Sequence, residues 1–246
     1  MPALIQAEIL ALRTVRSGWV VFLGTLLVTA VLAVRPVLGA GTAGAPSLGT
    51  AGAMLAVLDA PARGAWAMLL LGVLAVTADV RHGTLTAVLL RTPRRVRVLA
   101  AKATAVAVVA GVAAVAGLAV ALAVGLAGGA VRPSMLNADI VLHVVGLQLT
   151  YPIYGVAGVA VGALVLAQPV AVLLPLAWLL YLEGLALRLL PPAAGPWSVN
   201  GVTAALAHAG DVAHLLPIAV GGTALLAYAV LLLALGAARL AHRDIT

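Results

Sequence analysis

The sequence predicts an all-α integral membrane protein, and three observations carry that expectation. Mean hydropathy is +1.21 and 64% of residues are hydrophobic, more than a 246-residue globule could enclose while keeping a polar shell. Only 9% of residues are charged, and those charges gather at the ends of apolar runs. Six such runs can supply the roughly 20 residues that cross about 30 Å of hydrocarbon at about 1.5 Å per residue.

The elements follow in chain order as a single transmembrane domain over residues 1–246. Residues 1–16 are expected as an interfacial helix and 17–38 as the first span. Arg13 and Arg16 precede that span as they would a signal peptide, but its longer apolar core and the spans behind it favour an uncleaved anchor. Residues Gly39 to Ala53 are nearly all Gly, Ala, Ser, Thr and Pro, the composition of a mobile linker. The second span, 59–78, begins near Asp59 to Pro61 with Arg63 snorkelling to the headgroups. A charged loop, 79–101, leads to the third span, 102–127. The fourth span, 138–167, is separated from the fifth, 169–190, by Gln168-Pro169, because proline removes an amide donor and clashes with the preceding turn. Residues 191–214 carry Pro191-Pro192, Gly195-Pro196-Trp197 and a helical stretch from Val202 to Ala209, as expected of a re-entrant outer region with short helices. The sixth span covers 215–240. Pro152 and Pro175 are expected to kink their helices.

Charge sets the orientation. Arg13, Arg16, Arg81, Arg91, Arg94, Arg95, Arg97, Lys102, Arg239 and Arg243 fall on one side of the spans, and Arg35, Arg63, Arg132 and Arg188 on the other. The positive-inside rule then places both termini and the 79–101 loop in the cytoplasm. The net charge of +7 is explained by lipid headgroups at span ends rather than by nucleic acid. Of fourteen basic residues one is lysine, and the dominance of Arg, Ala, Val, Leu and Gly is expected of a GC-rich bacterial genome and hence a bacterial plasma membrane. The absence of cysteine removes disulfide frameworks and thiolate metal sites.

The charged loop is the most informative segment. It runs Asp79-Val80-Arg81-His82-Gly83-Thr84 and continues through Arg91-Thr92-Pro93-Arg94-Arg95 to Lys102. Leu85, Val88 and Leu89 have the i, i+3, i+4 spacing of a short helix lying along the membrane face. Thr92 is a good N-cap and Pro93 suits the first helical position, so a new helix should start there and run into the third span. A plain positive-inside anchor would also place arginines here.

The order of these residues resembles the permease subunits of type-2 ABC exporters. The acid ending the second span, Gly83-Thr84 after it, Thr92-Pro93-Arg94-Arg95 and Val98-Leu99-Ala100-Ala101-Lys102 carry the likeness. Glu8 with Leu12-Arg13-Thr14-Val15-Arg16-Ser17-Gly18-Trp19, Gly158 to Gly162 with Gln168-Pro169 and Ala171, Glu183, and Asp244 after Arg243 extend it along the whole chain. The sequence departs from the family pattern at Asp79, usually Glu, at Ala11, often Lys, and at Leu166-Ala167, where a basic residue is common.

What the resemblance implies is a half-transporter that exports or flips an amphiphile such as a lipid, drug or peptide. Two such permeases, identical or different, would join two separate ATP-hydrolysing subunits. Asp79, Arg81, Gly83 and Thr84 would fix the coupling helix, Leu85, Val88 and Leu89 would dock it, and Arg91, Arg94, Arg95 and Arg97 would meet acidic residues of the motor. ATP and Mg would bind the partner. Independently, Lys102 has no preceding Gly-rich loop to cradle phosphate, so this chain is expected to be no enzyme and to bind no cofactor. The alternatives are a secondary transporter, or a sensor or scaffold subunit that moves no cargo.

Four further features are candidates for function. Glu183 is a carboxylate inside a span, either functional or paired structurally with Arg188 or with a backbone amide of the outer helices. Gln148, Thr150, Tyr151 and Tyr154 put polar atoms in the fourth span, where they could line a translocation path. His208, Asp211 and His214 share one helical face but have no fourth ligand in view, and read as polar loop residues. Gly155, Gly158 and Gly162 form a small-residue face suited to close helix packing.

Overall fold

A computed structural model describes residues 1–42, 46–83, 95–207 and 214–242. Among them every regular element is helical. Six helical stretches are long and apolar enough to cross a membrane: Arg16–Leu38, Ala51–Arg81, Val96–Ala127, Ala138–Val165, Gln168–Leu189 and Ile218–Ala241. They are numbered here as spans one to six. An N-terminal helix, Pro2–Thr14, precedes them, and a short helix, Val199–Leu206, lies between spans five and six as a roof.

Two segments differ from the sequence reading. The second span starts at Ala51, within the stretch expected as a linker, because the Thr50 side chain accepts from the Ala53 amide and caps a helix there. That helix, Ala51–Leu58, tightens through a 3-10 turn at Ala60–Arg63 before continuing as Gly64–Arg81. Pro61 lacks the amide that a continuous α-helix would need. In the fifth span, Pro175 is followed by a π-helical turn at Trp178–Leu182 rather than by a simple kink.

The fourth span is the centre of the molecule, packing against spans two, three and six. Lipid gives two apolar helices little reason to associate, so contact depends on close backbone approach at small residues. A Cβ on Gly158 would overlap the Leu69 carbonyl oxygen and lie 2.8 Å from its carbon, and one on Gly72 would lie 2.7 Å from the Val159 nitrogen. Spans two and four therefore touch backbone to backbone.

The buried side chains form three layers. Val76, Leu99, Val106, Ala163 and Leu166 pack at the end carrying the N-terminal helix. Met68, Leu71, Ala110, Tyr151 and Tyr154 fill the middle. Met54, Val57, Ala121 and Ile140 fill the opposite end. The chain reverses between spans four and five at Leu166, whose φ of 61° is left-handed. Such a conformation costs a non-glycine residue about 1–2 kcal/mol, and the leucine side chain is held by packing in the first layer.

Candidate functional site

The N-terminal helix turns one face towards the bundle, with Leu4, Ile5, Glu8, Ile9 and Leu12 half-buried at the i, i+4 spacing of a single stripe. Glu8 is the polar break in that stripe, and the structure gives the reason. Its Oε2 lies 2.7 Å from Lys102 Nζ, which is also 2.6 Å from Asp79 Oδ2. The lysine side chain is 6% exposed, and those of Glu8 and Asp79 are 12% and 27% exposed. One ammonium thus bridges the N-terminal helix, the last turn of span two and the second turn of span three. A buried charge persists only when paired, and Lys102 has three N–H donors for this purpose. A small pocket beneath the triad is lined by Leu12, Gly18, Ala75 and Val106.

Of the residues expected at the coupling interface, Asp79 therefore belongs to this triad. Arg81 ends span two, and its Nη1 is 3.4 Å from Gln168 Oε1, which links that end to the reversal before span five. Gly83 adopts φ +68° and turns the chain out of the helix. Thr84, Leu85, Val88, Leu89, Arg91 and Arg94 lie outside the described residues, as does the Thr92-Pro93 helix start. Arg95 is the first described residue of the span-three helix. Lys102 entered the sequence reading as an orienting charge; being the one lysine, set in an apolar run and opposite an acid on an otherwise apolar face, was the signal available for its pairing.

Glu183 is 3% exposed. It accepts from the backbone N–H of Asn200 at 2.9 Å and from Asn200 Nδ2 at 2.8 Å, so among the proposed partners it meets a roof-helix amide. Asn200 Nδ2 also donates to the Leu179 carbonyl at 3.2 Å, inside the π-helical turn. Nothing in the sequence singled out Asn200, because its role exists only once the roof folds back on span five.

Of the four polar residues singled out in span four, the two tyrosines bond between helices. Tyr151 Oη donates to the Pro61 carbonyl at 2.6 Å, at the proline turn of span two. Thr203 Oγ1 donates to Val199, so Tyr154 Oη is the donor in their 3.0 Å contact. Thr150 Oγ1 donates back to Leu147 in its own helix. The Gln148 amide is buried, with no hydrogen bond to either of its polar atoms among the described residues. A pair not expected from sequence joins His143 Nε2 to Asp59 Oδ1 at 2.9 Å, with the histidine buried and the aspartate exposed. His208 and Asp211 fall outside the described residues, and among those described no group of three His, Asp or Glu is placed to hold a metal.

No family model matches the chain, and no curated protein matches it.

Proposed function

We propose that the chain is the membrane-spanning subunit of an ATP-driven exporter that moves or flips an amphiphile, with the energy supplied by a separate ATPase. The observation that carries this reading is the Lys102 bridge. Spans two and three are the helices that enter and leave the charged loop, and one ammonium holds both to the N-terminal helix. A push on the loop would therefore move three elements together, as a subunit driven from outside requires. The order of residues through the loop, similar to that of type-2 ABC permeases, supports the same reading.

In this proposal Leu85, Val88 and Leu89 dock on the motor, and Arg91, Arg94 and Arg95 meet its acidic residues. The assembly contains two ATPase subunits, which bind ATP and Mg, and a second permease, in a bacterial plasma membrane with both termini cytoplasmic. Span four and its neighbours carry cargo of amphiphilic character, since the spans are mostly apolar. A secondary transporter would want several acids at membrane depth, whereas the sequence offers Glu183 there, with both of its oxygens held by Asn200.

Purification of the intact protein from native membranes tests the proposal. An ATP-hydrolysing protein should co-purify with it and be lost in the Leu85→Asp, Leu89→Asp variant. Purification without any ATPase, with function retained, would overturn it.

A further inference from the structure

We propose that a slot between spans four, five and six binds one hydrocarbon chain of a bilayer lipid. The slot needs only that the six helices stand in a membrane, and it is independent of whether the chain exports anything. Its floor is span four at Ile153, Ala157 and Val161, its walls are Leu174 and Trp178 of span five and Leu225 and Ala229 of span six, and the roof helix closes it at Val199.

Size, chemistry and position select this occupant. The slot holds about 300 Å³, room for roughly ten methylene-sized groups at about 30 Å³ each. From Ile153 to Val161 it extends about 12 Å along the helix axis, so the volume is that of a narrow channel one chain wide. The surface facing into it is apolar. The two hydroxyls on its walls are spent elsewhere, Tyr154 on Thr203 and Tyr228 on the Trp197 carbonyl at 2.9 Å. Neither water nor a polar headgroup would find a partner there, whereas an acyl chain would make dispersion contacts on every side. Spans five and six are among the least buried of the six, at 22% and 17%, and Leu174 and Trp178 at the rim are themselves exposed. The slot therefore opens where lipid lies.

The fifth-span wall is shaped for this opening. Pro175 and the π-helical turn after it bring Trp178 and Leu179 into the slot, and π turns inside helices often mark functional sites. Asn200 fixes that wall by bonding Leu179 and Glu183 together beneath the roof. Glu183 is thus a positioning residue for the slot and makes no contact with the chain inside it.

The test uses full-length protein in nanodiscs of phosphatidylcholine and phosphatidylglycerol, doped with phosphatidylcholine carrying a diazirine in mid-chain. After illumination, adducts at Ala157 and Val161 should exceed those at the openly exposed Leu23 and Leu27 of span one by about tenfold, which corresponds to about 1.4 kcal/mol of preference for the slot. Ala157→Phe should bring slot labelling down to the span-one level and leave span one unchanged, with Ala157→Leu intermediate. Equal labelling at the two places in the unaltered protein would overturn the proposal, a comparison that stands even if the Phe variant fails to fold. Labelling of the slot that Ala157→Phe does not reduce would overturn it too, as would protein-to-protein cross-links at Leu174 in place of lipid adducts.

Discussion

Lys102 sits within 2.7 Å of two carboxylates, and its removal would take away the ammonium that Glu8 and Asp79 share. Lys102→Met should destabilise the detergent-solubilised protein by about 3–5 kcal/mol, the usual cost of breaking one side of a buried ion pair. The triple variant Glu8→Gln, Asp79→Asn, Lys102→Met should recover most of that loss in thermal unfolding, since the lysine and both of its carboxylates are then neutralised together. A triple variant no more stable than the single one would show that the charges do not act as a unit. At Asn200 the argument runs through hydrogen bonds. Asn200→Ala removes the side-chain donor to Glu183 and Leu179, while the backbone N–H keeps its bond to Glu183, and should cost about 1–3 kcal/mol. Asn200→Asp sets one carboxylate against another and should cost more, with part regained in Glu183→Gln, Asn200→Asp. Equal melting temperatures for the Ala and Asp variants would contradict the geometry. Glu183 stood out in the sequence as an acid in a span, but its partner could not, because Asn200 is seventeen residues away and meets it only through the roof.

At the scale of elements, backbone contact between spans two and four depends on having no side chain at Gly158 and Gly72. Gly158→Leu should push the helices apart and destabilise the bundle by about 1–3 kcal/mol through overpacking. Gly111 has open space where a Cβ would point, with nothing within 4 Å, so Gly111→Ala should leave stability unchanged or improve it by up to about 1 kcal/mol. Comparable melting temperatures for the two would argue against the close approach. The glycine spacing of span four was readable as a packing face, while the choice of span two as its neighbour was not. The spans themselves were legible because length and apolar composition suffice to define them. The 3-10 turn of span two and the π turn of span five were not legible, and each receives a hydrogen bond from a residue distant in sequence, Tyr151 to the Pro61 carbonyl and Asn200 to the Leu179 carbonyl.

For the whole molecule, six spans bring the N-terminal helix and the end of span two to one face, where Lys102 joins them, while the roof and the turn at Pro133–Met135 belong to the other. The natural absence of cysteine makes this directly measurable with single substitutions at two exposed positions, His82 and Ser134. In intact cells a membrane-impermeant maleimide should label Ser134→Cys and leave His82→Cys unlabelled until the cells are opened. The reverse pattern would invert the orientation that the basic residues imply. Hydropathy and charge position by themselves determined that the chain has six helices long and apolar enough to cross a membrane, though not that the second begins at Ala51, because the cost of placing charge or unpaired backbone in hydrocarbon is a property of short segments. Only the tertiary structure decided that Glu8, Asp79 and Lys102 form one cluster, that Glu183 serves the roof, and that spans four, five and six leave a slot between them. Those features depend on distances between residues far apart in sequence, which are set by helix packing rather than by the composition of any one helix.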